Sequence, residues 1–346
     1  MNTISSSRPA PFPNGSSRVN QPPTVPECAA STPDVFGLDE ATAYAPSSIG
    51  NACVGYDVLG CIADVTGDRV TVCRTDELGV RIGAVTGVVT KLPTDPLANT
   101  ATAGLVQMLE DVAPGFGLEV DLDKGIPLGS GMGGSAASAV GAAVAANAVL
   151  DDPLPIANVF RYALIGEAVA SGAVHPDNVA PCLFGGLVLT RSVDPPEVIS
   201  LPVHDDLRCV LVHPARTVAT KDARARLPKA LPYSDIVRQT AHIGAFVAAC
   251  YERNLDMMGR SLRDFIVEPY RAALVPGFAD VQGAAMDAGA LGCSLSGAGP
   301  ACFAWTHDQE AEAVRNAMVD AFAGHDVPVT AWVVALDSAG ARICGA

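Results

Sequence analysis

Apolar and polar positions alternate along Asp68–Arg74 (DRVTVCR) and again along Leu118–Asp123 (LEVDLD), where Leu118, Val120 and Leu122 share one face. A period of two means a strand with one face buried and one wet, which predicts an antiparallel sheet. Thr42–Ala45 predicts another strand, entering the turn-like APSSIGN. The period lengthens over Thr100–Glu110, Ser135–Leu150 and Pro155–Ser171, which predict helices, and Gly185–Thr190 reads as a further strand.

The pattern changes at Arg191–Pro202 (RSVDPPEVISLP), a boundary rich in proline and acid. Beyond it Arg208–His213 predicts a strand, Ser234–Asn254 and Asn254–Phe265 helices, and Val275–Ala288 a helix ending at Gly289. ALGCSLSGAGPACFAW reads as strand, glycine turn, strand; Glu310–Ala323 is helical and Val327–Ala335 a last strand. Strands and helices mix without a strict βαβ rhythm, so the class is α+β. The expected organisation is a tail over 1–38, one domain over 39–195 and a second over 196–346. The tail is rich in Ser, Pro and Asn and poor in large apolar residues, which predicts disorder. Its few arginines, Arg8 and Arg18, argue against an organelle transit peptide, and no charged segment precedes an apolar core as in a secretory signal.

Composition narrows the function. The chain of 346 residues carries 37 acids against 22 bases, a net charge of −15, with no basic cluster to suit nucleic acid. The apolar run Ala136–Leu150 is too short and too alanine-rich to span a bilayer, so no membrane role is expected. The cysteines form no Cys-x-x-Cys pair, and Cys53, Cys61, Cys209 and Cys302 sit in apolar context as packed thiols, which suits a reducing cytoplasm.

Residues 125–138, GIPLGSGMGGSAAS, place a glycine loop before a helix, where backbone N–H groups and the helix dipole favour phosphate. The stretch Gly129–Gly134 satisfies G-x-G-x-x-G, with Asp151 or Asp152 about 20 residues on, as a dinucleotide site requires. That reading fails because LEVDLD alternates where a buried parallel strand is needed, and KGIPLG separates it from the glycines. The Walker pattern fails too, since Ser135 stands where its phosphate-binding lysine belongs. Close helix packing is the bland account of the glycines. The remaining one is a loop that wraps a triphosphate, with Ser135 offering its hydroxyl to Mg²⁺ and a carboxylate from elsewhere completing the metal site.

Three segments together resemble the GHMP kinases. The run from Pro127 resembles their second motif, Ala45–Gly60 (APSSIGNACVGYDVLG) the first and Leu295–Ala304 (LSGAGPACFA) the third. Glu167–Leu189, Thr220–Pro232 and Ile266–Phe278 are similar to the branch that phosphorylates L-homoserine, so the resemblance runs from about Ala41 to the last strand. Gly134, where many members have serine, and the N-terminal tail are the departures. The resemblance implies a two-domain α+β fold, with a ribosomal-protein-S5-like N-terminal and a ferredoxin-like C-terminal domain. It also implies transfer of the ATP γ-phosphoryl group to the side-chain hydroxyl of homoserine, a step of threonine biosynthesis.

Residue roles follow from the same resemblance. ATP is expected along Pro127, Leu128, Gly129, Ser130, Gly131, Met132, Gly133, Gly134, Ser135, Ala136 and Ala137, with Asn99 and Lys124 at the adenine. Asn99 serves equally as a helix N-cap, and Lys124 as a surface lysine. Ser135 and Glu167 are the catalytic pair holding Mg²⁺, which keeps waters and takes one or two protein oxygens beside phosphate. Arg224 and Arg271 are assigned to the amino-acid carboxylate, whose geometry a guanidinium fork matches. Asp57 is assigned to the ammonium, while Asn51, His175, Asn178, Thr220 and Gly297 line the pocket. His175 lies in a tight His-Pro-Asp-Asn turn that Asp177 could instead hold through its own backbone bonds. No residue is singled out as a general base, and a homodimer is left open. A mevalonate-type kinase is the alternative enzyme, but its aspartate–lysine pair cannot be placed. A ligand-binding sensor without turnover would not need Ser135 and Glu167.

Overall fold

The computed structural model describes residues 25–26 and 36–345. The expected disordered tail therefore lies outside the described residues, except for Val25 and Pro26 and the stretch from residue 36; Val25 packs against the first core. The chain is already engaged at Gly37 and Leu38, whose N–H groups donate to the carbonyls of Leu150 and Ala148.

In chain order the elements are β1 (Glu40–Gly50), β2 (Leu59–Thr75), β3 (Val80–Gly87), α1 (Thr100–Val112), β4 (Gly117–Lys124), α2 (Gly134–Val149), α3 (Ile156–Ser171) and α4 (Pro176–Phe184). Then come β5 (Leu187–Val193), β6 (Pro196–Leu201), β7 (Leu207–Pro214), α5 (Thr220–Ala225), α6 (Tyr233–Glu252), α7 (Leu255–Ser261) and α8 (Glu268–Arg271). The last are α9 (Phe278–Asp287), β8 (Gly292–Leu295), β9 (Cys302–His307), α10 (Ala311–Ala323), β10 (Val329–Val334) and β11 (Arg342–Ile343). The α+β class expected from the pattern holds.

Two sheets organise the chain. The first runs β11-β1-β2-β4-β3, with β5 added to the first part of β2 and β6 to β5. The second runs β10-β7-β9-β8. Purely antiparallel pairing was expected, and one pair corrects it: β3 lies parallel to β4. Helix α1 is the crossover that a parallel connection requires, and β3 is a half-exposed edge strand whose pattern hid it. The boundary drawn at residues 195/196 falls in the turn of the β5–β6 hairpin, and β11 returns from the far end of the chain to pair with β1.

Helix α2 is buried nearly all round, from Ala136 to Val149. Its small residues allow this. A Cβ on Gly141 would lie 2.7 Å from Cγ2 of Val70 and 3.3 Å from Cβ of Ala45, so the helix sits directly on β1 and β2. A helix buried on every face belongs in a core, which is why the run is dominated by alanine and other small residues. Helices α1, α3 and α4 pack beside it, and α9 and α10 cover the second sheet in a separate core with Val210, Val212 and Phe322. The four cysteines expected to pack as thiols are all buried.

Candidate active site

The loop before α2 lies where the two sheets meet. Gly131 has φ of +80°, and a Cβ there would stand 2.8 Å from the Ser296 carbonyl oxygen and from the carbonyl carbon and oxygen of Gly299. Only glycine permits both the angle and this approach. Ser296 Oγ donates to the Gly131 carbonyl at 2.6 Å, and the Ala301 N–H to that of Ser130 at 3.0 Å. On the other side the Ser48 N–H donates to the Met132 carbonyl at 3.1 Å. The Gly297 N–H reaches the Gly50 carbonyl at 3.1 Å. The three motifs are thus joined through main-chain groups.

Gly133 caps α2 in a left-handed conformation with no side-chain cap. The first intrahelical bond at this end runs from the Ala137 N–H to the Gly133 carbonyl, so the preceding N–H groups have no intrahelical acceptor. That is the polar end a polyphosphate requires.

A cavity of about 280 Å³ opens in front of it. It is lined by Pro127–Gly131, Gly133–Ser135, Glu167, Asn51, Asp57, His175, Asp177, Asn178, Thr220, Arg224, Arg271 and Gly297. Most expected site residues therefore converge there. Met132, Ala136 and Ala137 are buried behind the loop. Asn99 and Lys124 do not line the cavity. Asn99 caps α1, accepting from the Ala101 N–H at 2.9 Å and donating to the Pro93 carbonyl at 2.8 Å. Lys124 is not a surface lysine either: at 2% exposure it pairs with Asp68 and donates to the Gly134 carbonyl at 2.9 Å and Ser138 Oγ at 2.8 Å.

The expected His-Pro-Asp-Asn turn is the start of α4, where Pro176 needs no N–H partner at the first helical position. Asp177 does not hold a turn through its own backbone; it accepts from the Asn51 N–H at 3.1 Å. Asn51 has φ of +67° and ties its loop together, donating to the Gly297 carbonyl at 3.0 Å and accepting from the Asp57 N–H at 3.2 Å. Asn178 Oδ1 accepts from Ser48 Oγ at 3.0 Å.

The charges divide the cavity. Arg224 Nη2 donates to Asp57 Oδ1 at 2.8 Å, and His175 Nδ1 lies 3.3 Å from Asp57 Oδ2. Burial works against the Asp57 carboxylate, but the His175 and Arg224 hydrogen bonds outweigh it and hold its pKa below the usual range. Arg271 is 2% exposed, donates to the carbonyls of Gly297 at 3.2 Å and Ala223 at 3.4 Å, and has no carboxylate partner among the described residues. Its Nη2 and the Nε of Arg224 are buried without acceptors among the described residues. In the same cavity, burial lifts Glu167 to about 7 despite a hydrogen bond from Ser135, and burial with the nearby Asp57 charge lifts Asp177 to about 6.

Two functional neighbours escape a reading of the sequence. Tyr56 contacts both arginines, and only its place beside Asp57 hints at this. Asp68 supports the loop from β2, and nothing in its alternating strand marks it.

A glycine loop on the N-terminus of a buried helix, joined to a second sheet by a glycine turn, suits a phosphate ligand, and family profiles give the class as the GHMP kinases. The profile for the GHMP kinases N terminal domain matches residues 99–186 and that for GHMP kinases C terminal matches 246–324. Relatives narrow this further. The chain is 45% identical over 305 residues to a homoserine kinase of Xylella fastidiosa, covering 88% of this chain and 94% of that one. It is 43% identical over 314 residues to the homoserine kinase of Xanthomonas campestris, covering 90% and 97%. A crystal structure of homoserine kinase from Cytophaga hutchinsonii superposes with a TM-score of 0.84 at 41% identity, covering 88% and 98%. The chain belongs to the homoserine kinase family.

Proposed function

We propose that the protein transfers the γ-phosphoryl group of ATP to the side-chain hydroxyl of L-homoserine, forming O-phospho-L-homoserine for threonine biosynthesis. The observation that carries this is the charge layout of one cavity. It has a bare helix N-terminus for phosphates, an ionised Asp57 for an ammonium, and Arg224 and Arg271 with guanidinium N–H groups lacking acceptors for a carboxylate. A zwitterion with one hydroxyl matches that set. Mevalonate has no ammonium and would leave Asp57 without a substrate partner.

In this reading the triphosphate lies along Pro127–Ser135, its charge met by backbone N–H groups and the α2 dipole. Asn51, His175, Asn178, Thr220 and Gly297 shape the pocket for the amino acid. Phosphoryl transfer of this kind rests on positioning and charge stabilisation. Arg224 can keep its Nη edge on Asp57 while its Nε edge meets the substrate, so the ion pair also orients the two charge-binding groups.

Ser135 and Glu167 fit Mg²⁺. They are hydrogen-bonded to each other, and a buried carboxylate lifted to about 7 is one that a cation would hold ionised. Two protein oxygens suffice, since the ion takes the rest from water and phosphate. When bound it would neutralise charge on the transferring phosphates.

Coupled ADP release tests the assignment. L-homoserine should be turned over with ATP and Mg²⁺, and (R)-mevalonate should not. Faster turnover of mevalonate would overturn the homoserine reading while leaving the kinase fold intact.

A further inference from the structure

Arg224 and Arg271 come from segments far apart in sequence, carry like charges and lie together in a cavity wall. Arg271 has no carboxylate partner among the described residues, and Arg224 lowers its pKa further after burial has done so. Something must hold two guanidinium groups in register.

Tyr56 touches both. Its hydroxyl accepts from Arg224 Nη1 at 2.8 Å. The guanidinium carbon of Arg224 lies 5.6 Å from its ring centroid and that of Arg271 5.3 Å. The electron-rich ring face attracts both cations, most strongly where water is excluded. Burial, then the Asp57 charge, raises the Tyr56 pKa, so the phenol keeps its proton and stays neutral. The ring is itself fixed, because Asn51 ties the loop on both sides and Asp57 next to it is held by Arg224 and His175. Tyr56 does not line the cavity.

We propose that Tyr56 is a positioning residue for the substrate carboxylate: its ring and hydroxyl hold Arg224 and Arg271 side by side as one clamp. The proposal rests on the reading that both arginines receive the carboxylate. Tyr56 would then set affinity for the amino acid without touching it, and leave the nucleotide side alone.

The test is steady-state kinetics of the full chain with each substrate varied. Tyr56→Phe keeps the ring and loses one hydrogen bond, and should raise KM for homoserine roughly 2- to 10-fold. Tyr56→Leu loses both contacts and should raise it roughly 10- to 100-fold, with KM for ATP within about twofold of wild type. Tyr56→Leu should add less to Arg271→Lys than it does alone, since it acts through that residue. If Arg271→Lys raises KM for homoserine and Tyr56→Leu does not, Tyr56 has no positioning role. A parallel rise in both KM values would make it merely structural. Should Arg224→Lys and Arg271→Lys both leave KM for homoserine unchanged, the clamp reading itself falls, and the proposal with it. If Tyr56→Leu fails to fold, Tyr56→Phe decides: an unchanged KM for homoserine overturns the proposal.

Discussion

The buried pair beneath the glycine loop offers the sharpest test of the structure. Lys124 at the end of β4 and Asp68 on β2 are 2% and 0% exposed. The ammonium donates to Asp68, the Gly134 carbonyl and Ser138 Oγ, while Asp68 Oδ1 accepts from the N–H groups of Gly125 and Ile126 at 3.1 and 3.2 Å. Removing one charge leaves the other buried and uncompensated, which costs about 3–5 kcal/mol. Lys124→Met and Asp68→Asn should each therefore lower Tm by about 6–10 °C, at roughly 2 °C per kcal/mol for a chain of this size. The double variant removes both charges, while the amide that replaces the Asp68 carboxylate keeps an acceptor for the two backbone N–H groups. It should cost about 1–3 kcal/mol, well below the sum of the singles. Thermal unfolding of the four proteins measures this directly. Additive losses, or single variants within about 1 kcal/mol of wild type, would refute the pairing. Kinetics separates the alternative role. A Lys124→Met protein that keeps its Tm and loses only ATP affinity would return Lys124 to the nucleotide.

Two further outcomes follow from the site. Glu167 moves from an ordinary 4.5 to about 7 on folding, so its protonated form stabilises the fold fully below about 4.5, and that contribution is lost as pH rises through about 7. At about 1.4 kcal/mol per pKa unit this is on the order of 3 kcal/mol. Between pH 5 and 8 Tm should fall further in wild type than in Glu167→Gln, and at pH 8 the variant should be the more stable and the less active; superimposable profiles would mean that burial does not raise the Glu167 pKa. Gly131→Ala combines φ of +80° with a Cβ 2.8 Å from three backbone atoms, and should lose about 2–4 kcal/mol of stability and the thermal protection given by ATP. An unchanged Tm would mean that the loop does not seat against Ser296 and Gly299.

Local signals carried the elements that were legible. Asn99 before TATAGLVQM announced both the start of α1 and its cap, and the alternation of LEVDLD announced β4. What stayed hidden depends on tertiary partners. The first part of β2, from Leu59 to Ala63, is buried on both faces under α4 and shows no alternation. α4 carries prolines at 176 and 181 and reads as a turn, yet its burial against β1, β2 and β5 overrides propensity. In the site, the glycine loop was legible because its chemistry is local. Lys124 was not, since its partner Asp68 lies 56 residues away. Tyr56 meets Arg224 across 168 residues, and only the folded loop brings them together.

The density of glycine, serine and alanine at the site has a common cause. The two halves of the chain meet through their backbones. The Gly297 N–H bonds to Gly50, the Ala301 N–H to Ser130 and the Val218 N–H to Gly129, each donor from the second half and each acceptor from the first. Such bonds need main chains within about 3 Å, and at the crowded glycines a side chain would meet neighbouring atoms first. A Cβ on Gly129 would lie 3.2 Å from the Val218 carbonyl oxygen, and one on Gly133 would lie 2.2 Å from Ser48 Oγ. The small residues therefore do two things with one composition. They let the two sheets close on each other, and they leave the N–H groups at the start of α2 uncovered. A phosphate held by those N–H groups would therefore sit directly beside the seam, with its charge met by the same stretch of chain that joins the two halves.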